Sequence, residues 1–295
     1  MRTPEKMYEL ILQIANEDER IRAVTLAGSR ANRDCPSDIY QDFDITYYVN
    51  DVQPFWDNEK WIEEKFGEPI LMQKPESMSL IPPDNNGCFV YLMIFSDGNR
   101  IDLCIAPKDS VENGGEAVCE PTRILLDKDG IFSGKEMEND SLETKTFWLI
   151  EPPSQKFFSD CCNEFHWCMN NVVKGIARDE LSYAMEMLNH YVRDMLLKML
   201  EWYVGAENGF KVSAGKCGKY LKRFLPAALY EKFKATYSGA ETEAMWKAAF
   251  EMLYLFGEAA RAVAGKLNFS YDEKEEKGIE TYMNMVKTGA LKYSN

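Results

Sequence analysis

The order of apolar and polar positions divides this chain into an alternating half and a helical half. Near the start, Met7, Leu10, Ile11 and Ile14 recur at helical spacing behind Thr3, a capping residue, and Pro4, a first-turn proline, which predicts a first helix. Ile21 to Ala27 and Asp42 to Val49 then read as strands, Pro54 to Phe66 as one amphipathic helix stopped by Gly67, and Pro69 to Met72 as a short strand. Phe89 to Ala106 reads as a hairpin: two β-rich runs flank Asp97-Gly98-Asn99, whose Gly and Asn tolerate positive φ. In its second arm Ile101, Leu103 and Ile105 share one face, which leaves Arg100, Asp102 and Cys104 on the other. Arg123 to Leu126, followed by Asp129-Gly130, reads as one more strand and turn.

From about Asp140 the alternation fades, Glu151-Pro152-Pro153-Ser154 punctuates the chain, and helical periodicity takes over. Phe158 to Ala177 carries Cys161, Phe165, Cys168, Val172 and Ile176 on one stripe, with Trp167, Asn170, Asn171 and Lys174 on the other side. Leu181 to Tyr203 reads as one long helix with a Met-rich inner stripe, Pro226 opens another, Glu241 to Lys266 forms a further one, and Asp272 caps the last. The pattern predicts an α+β chain: a mixed sheet flanked by helices over residues 1–150, then an all-α helical bundle over 151–295.

Composition narrows the classes. Apolar residues at 45% and charged residues at 28% over 295 positions are globular values, with length for two cores. No apolar run approaches the roughly 20 residues of a membrane span, and the first residues have no signal-peptide h-region, so the expectation is a cytoplasmic protein without a membrane partner. A net charge of −14 disfavours a nucleic-acid partner and suits a cationic one. The eight cysteines contain no C-x-x-C and only two histidines accompany them, which favours free, mostly buried thiols over a zinc site.

The candidate chemistry lies between Ile21 and Val49. A strand delivers Gly28-Ser29, a polar loop follows, and Asp42 and Asp44 come one residue apart. Side chains at i and i+2 of a strand share a face, so these carboxylates would stand side by side, as hard oxygen ligands for Mg²⁺. Solvated surface acids are the other reading of that spacing. Gly28 has no Cβ to keep a phosphate from its backbone, and Ser29 adds a hydroxyl. Asp102, in mid-strand on the face away from the core, would complete a triad or stand as an edge-strand acid. A basic stretch between Gly205 and Lys234 includes Ser213-Ala214-Gly215-Lys216-Cys217-Gly218-Lys219-Tyr220, which reads either as a phosphate-binding helix start or as a solvated basic face. It lacks Walker A spacing.

Taken together, a Gly-Ser turn, a D-x-D and a later strand acid followed by helices resemble the nucleotidyltransferase superfamily that includes DNA polymerase β. The runs AGSRAN, QDFDITYYV, ILMQKPE, YLMIFSDGNRIDL, LLDKDG, VVKGIARDELSYAMEML and GKCGKYLKRFL resemble, more narrowly, the aminoglycoside 6-adenylyltransferases, also called streptomycin adenylyltransferases, across nearly the whole chain. The resemblance implies a polymerase-β-like nucleotidyltransferase domain followed by a helical domain. It implies Mg²⁺-dependent transfer of AMP from ATP to an aminoglycoside hydroxyl, giving antibiotic resistance. The same fold acting on a protein or another small-molecule hydroxyl is the alternative. Carried over, it makes Asp42, Asp44 and Asp102 the metal ligands, with Asp102 a ligand, a general base or both. Gly28, Ser29 and Arg30, with Lys174, Lys216 and Lys219, become nucleotide-binding residues, and Trp167, Asp179 and Glu180 substrate-side residues. This chain has Phe165-His166-Trp167 where the family carries paired aromatics.

Overall fold

The computed structural model describes residues 1–33, 35–80, 87–111, 121–133, 137–138, 141–142 and 149–291. Two compact units follow one another, Met1–Phe147 and Trp148–Asn295.

In the first unit, helix α1 (Pro4–Glu17) starts where Thr3 accepts a hydrogen bond from the Lys6 N–H, and buries Met7, Ile11, Ile14 and Ala15. Strand β1 (Ile21–Ala27) runs into a one-turn helix, α2 (Gly28–Ala31), and the chain returns as β2 (Phe43–Val49). The helix expected over Pro54–Phe66 is two, α3 (Gln53–Asp57) and α4 (Lys60–Phe66), parted at Asn58-Glu59. Both still bury an apolar side, Phe55 from one and Ile62 and Phe66 from the other. Strands β3 (Pro69–Gln73), β4 (Phe89–Phe95), β5 (Arg100–Pro107) and β6 (Thr122–Asp127) follow, then two short strands that the pattern did not predict, β7 (Met137–Glu138) and β8 (Ser141–Leu142).

The eight strands form one sheet in the order β3-β4-β5-β2-β1-β6-β8-β7. Every adjacent pair is antiparallel except β2 and β5, which run parallel at its centre. One face carries the core: Leu26, Phe43, Ile45, Tyr47, Tyr91, Met93, Ile101, Leu103 and Ile105 cluster with the apolar sides of α1, α3 and α4. Two buried phenols tie helices to this face, since the Tyr47 hydroxyl donates to the Ile11 carbonyl at 2.7 Å and the Tyr91 hydroxyl to that of Phe55 at 2.7 Å. The opposite face holds a smaller cluster around Tyr48, Ala106, Val111 and Phe132, and leaves Asp44 and Asp102 half-buried.

The second unit is helical: α5 (Gln155–Ala177), α6 (Leu181–Glu186), α7 (Arg193–Glu207), α8 (Leu221–Phe224), α9 (Ala227–Ala235), α10 (Thr242–Leu267) and α11 (Glu273–Lys287). The long helix expected over Leu181–Tyr203 is α6 and α7 joined through a π-helical segment, Met187–Val192, that widens the turn while leaving Met187, Leu188 and Val192 buried. The core centres on α10, where Phe256 stacks on Phe165 of α5 with ring centroids 3.8 Å apart. Asp272 caps α11 by accepting from the N–H groups of Lys274 and Glu275.

Of the thiols, Cys161, Cys162 and Cys168 are buried, Cys35, Cys88 and Cys104 half-buried and Cys217 exposed, so fewer are interior than the composition suggested. Cys119 lies outside the described residues. Among the described residues no helix is long and apolar enough to cross a membrane.

Candidate active site

The site grows from three neighbouring strands. β1 is buried along most of its length and ends at Ala27, where the chain turns sharply into α2. The turn requires Gly28, whose φ is +67°, a region that costs an L side chain energy. A Cβ at that position would stand 2.2 Å from Oδ2 of Asp44. The Asp44 carboxylate therefore lies directly against the backbone of the Gly28-Ser29 turn, in space that only glycine leaves open.

Asp44 and Asp102 are brought together by register. β2 and β5 pair in parallel with Asp44 opposite Asp102, so two acids 58 residues apart in sequence become lateral neighbours on the face turned away from the core. On that face each is half-buried. Asp42 differs from expectation by one position: β2 begins at Phe43, and Asp42 is the residue before it. The reason lies in its backbone. The Asp42 carbonyl accepts from Nε of Arg30 at 2.9 Å, and the Gln41 carbonyl from the same guanidinium at 2.7 Å. Arg30 also lies over the Phe43 ring, 3.9 Å from its centroid, and Gln41 donates its side-chain amide to the Ser29 carbonyl at 3.1 Å. Arg30 thus staples the Gly-Ser turn to the start of β2.

Arg100, the first residue of β5, is the member whose role the pattern alone did not reveal. Its Nε and a terminal nitrogen form a two-pronged bond to the Asp102 carboxylate at 2.8 and 2.7 Å, while the other terminal nitrogen lies 3.4 Å from Oδ2 of Asp42. The alternation of β5 had placed Arg100 on the face of Asp102. Its reach to Asp42 depends on the β2–β5 pairing, which no local pattern announces.

The electrostatics follow the geometry. Burial is the largest influence on Asp42 and raises its pKa above the ordinary carboxylate value; the neighbouring Asp102 charge adds to this, while Arg100 and Arg30 oppose it. Hydrogen bonding to Asp102 raises the pKa of Arg100, reinforced by the charges of Asp102, Asp42 and Asp44.

As arranged, no group of three or more His, Cys, Asp or Glu side chains among the described residues could hold a metal ion. The donor chemistry of the acids nevertheless suits a hard cation. They are carboxylates, two of them in lateral register, and a cationic guanidinium already bridges Asp42 and Asp102.

The remaining sequence-derived residues all belong to the second unit. Trp167 is 68% exposed on α5, and Lys174 lies seven residues on, half-buried in the last turn of the same helix. Asp179, at φ +57°, and Glu180, at the N-terminal boundary of α6, are exposed in the connection between α5 and α6, where the Glu180 N–H donates to the Gly175 carbonyl at 2.9 Å. Lys216 and Lys219 are exposed, but the helix start expected around them is a 3₁₀ turn, Lys216–Gly218, with Cys217 at φ +55°, and α8 beyond it is only four residues long. These residues therefore have no long-helix N-terminus to lend a dipole.

Comparison with known proteins extends this picture along the chain. A family model described as streptomycin adenylyltransferase matches residues 1–286. The chain is 40% identical over 282 residues to an aminoglycoside 6-adenylyltransferase of Bacillus subtilis, covering 96% of this chain and 97% of the relative. It is 37% identical to one of Campylobacter jejuni, over 96% of this chain and 95% of that one, and 30% identical to one of Staphylococcus aureus, over 96% and 98%. Among solved structures, a crystal structure of an aminoglycoside 6-adenyltransferase from Bacillus subtilis aligns with 97% of this chain and 99% of its own, at 36% identity and a TM-score of 0.47.

Proposed function

This chain belongs to the streptomycin adenylyltransferase family and is an adenylyltransferase, and from that premise we propose that it transfers AMP from ATP to a hydroxyl of a streptomycin-type aminoglycoside, releasing pyrophosphate. The observation that carries the reading is the register of Asp44 with Asp102 beside a turn that only Gly28 permits. In this reading the first unit is a polymerase-β-like nucleotidyltransferase domain and the second a helical domain, and both work in the cytoplasm. The names of the relatives favour an aminoglycoside over a protein hydroxyl.

Asp42, Asp44 and Asp102 would hold Mg²⁺, which when bound supplies positive charge to the phosphoryl oxygens. The residues of the chain do the rest. The Gly28-Ser29 turn offers backbone N–H groups and a hydroxyl to the terminal phosphates, and Arg30 keeps that turn in place. Lys174, Lys216 and Lys219 are the second unit's candidate nucleotide-binding residues, each a cation able to neutralise phosphate charge. The acceptor hydroxyl oxygen attacks the α-phosphorus, the bond from that phosphorus to the pyrophosphate oxygen breaks, and the hydroxyl proton passes to the Asp102 carboxylate. Trp167, with its exposed aromatic face, and Asp179 and Glu180, with their carboxylates, are the second unit's candidate contacts for a polycationic acceptor.

Pyrophosphate release provides the test. With ATP, Mg²⁺ and streptomycin the protein is expected to release pyrophosphate; Asp44→Asn should fold, judged by circular dichroism, and lose that release by roughly two to three orders of magnitude, the loss on removing a key electrostatic group. Turnover by Asp44→Asn close to that of the parent refutes the reading.

A further inference from the structure

Arg100 links two of the three candidate carboxylates. Its guanidinium forks onto Asp102 through two hydrogen bonds of 2.8 and 2.7 Å and reaches Asp42 at 3.4 Å, so one positive group ties together two of the three carboxylates. The third, Asp44, is in register with Asp102. Three neighbouring carboxylates repel one another, and a positive group between them offsets that repulsion.

We propose that Arg100 is a built-in counter-ion and positioning residue: in the nucleotide-free protein it occupies the cation's place between Asp42 and Asp102, keeps both carboxylates aimed at one point, and must be displaced for a divalent metal to bind. The idea rests on the reading that these acids are metal ligands.

The surroundings of Arg100 suit a side chain that exchanges while its backbone stays fixed. The hairpin turn before it is pinned: Gly98 takes the φ of +82° that the turn requires, and buried Asn99 donates to the Arg2 carbonyl at 3.2 Å and to Asp97 at 2.9 Å. Asp97 is held in turn by Nε of Arg2 at 2.8 Å. The Arg100 side chain, by contrast, is 43% exposed. Lysine would keep the charge but could not fork onto Asp102 and reach Asp42 together. The proposal therefore separates the geometry of the guanidinium from its charge.

Mn²⁺ binding to the nucleotide-free protein, followed by electron paramagnetic resonance, reads this without reference to turnover. Arg100→Gln is expected to bind Mn²⁺ more tightly than the parent by about five-fold or more, the size of a modest coupling between two ligands competing for one site. Arg100→Lys should lie between the two. Should Arg100→Gln fail to fold, Arg100→Lys decides the matter by binding more tightly than the parent or not. Unchanged or weaker binding in Arg100→Gln overturns the counter-ion role. A gain in Arg100→Gln with Arg100→Lys equal to the parent reduces the effect to net charge and overturns it as well. If Mn²⁺ binds the parent and Asp44→Asn equally, or binds neither the parent nor either Arg100 variant, the metal assignment itself fails, and this proposal with it.

Discussion

At the scale of single residues, the site is decided by which atoms are missing as much as by which are present. Gly28 has no Cβ, and that is what lets the Asp44 carboxylate rest against the turn after β1. Gly28→Ala must either push Asp44 aside or open the turn, and it adds an L side chain at positive φ. Misplacing a reacting group by about 1 Å costs on the order of a hundred-fold in rate. AMP transfer by Gly28→Ala should therefore fall at least that far, measured as kcat/KM, and a variant within a few-fold of the parent would show that the contact is incidental. The residues most legible in the sequence were those whose placement needs only the two-residue period of a strand. Asp44 and Asp102 fall on the face that period assigns them, and Asp42 just misses its strand because Arg30 claims the Gln41 and Asp42 carbonyls. The bridge from Arg100 to Asp42 was not legible, because it requires the parallel pairing of strands whose sequences are far apart.

At the scale of elements, periodicity located most helices and strands, and it failed where one apolar stripe spans a break. Pro54–Phe66 and Leu181–Tyr203 each carry a continuous apolar stripe, yet the first divides at Asn58-Glu59 and the second widens into a π segment, because burial of the stripe tolerates either geometry. Helix α5 places His166 in the interior, with Nε2 lacking a hydrogen-bond partner and Nδ1 3.5 Å from Glu275. Burial lowers its pKa below the ordinary 6.5, and the hydrogen bond to Glu275, with the charges of Glu275, Glu276 and Asp272, only partly offsets this. A histidine held neutral in the fold stabilises fully above the unfolded pKa, and that contribution is lost as pH falls below it, because the unfolded chain takes up the proton first. Urea unfolding of the parent and His166→Phe from about pH 7.5 to about 5.5 should show the parent losing stability relative to the variant as pH falls. A difference independent of pH would contradict the assignment.

At the scale of the whole molecule, the chain forms two compact units, Met1–Phe147 and Trp148–Asn295, and the sequence changes texture before Glu151-Pro152-Pro153-Ser154. The net charge of −14 was legible as well, but it points only to a cationic partner. An acidic enzyme acting on a polycation should show kcat/KM falling as salt rises from about 0.01 to about 0.15 M, as screening shortens the reach of the field. A flat salt profile would assign substrate capture to short-range contacts alone. Long-range charge cannot tell one acceptor from another, whereas a direct chemical readout of the acceptor can. That readout is mass spectrometry of streptomycin and of kanamycin after incubation with ATP, Mg²⁺ and the protein. Streptomycin should gain one adenylyl group, AMP less water, kanamycin should gain none, and Asp44→Asn should abolish the gain. An unmodified streptomycin, or an equal gain with Asp44→Asn, would contradict it.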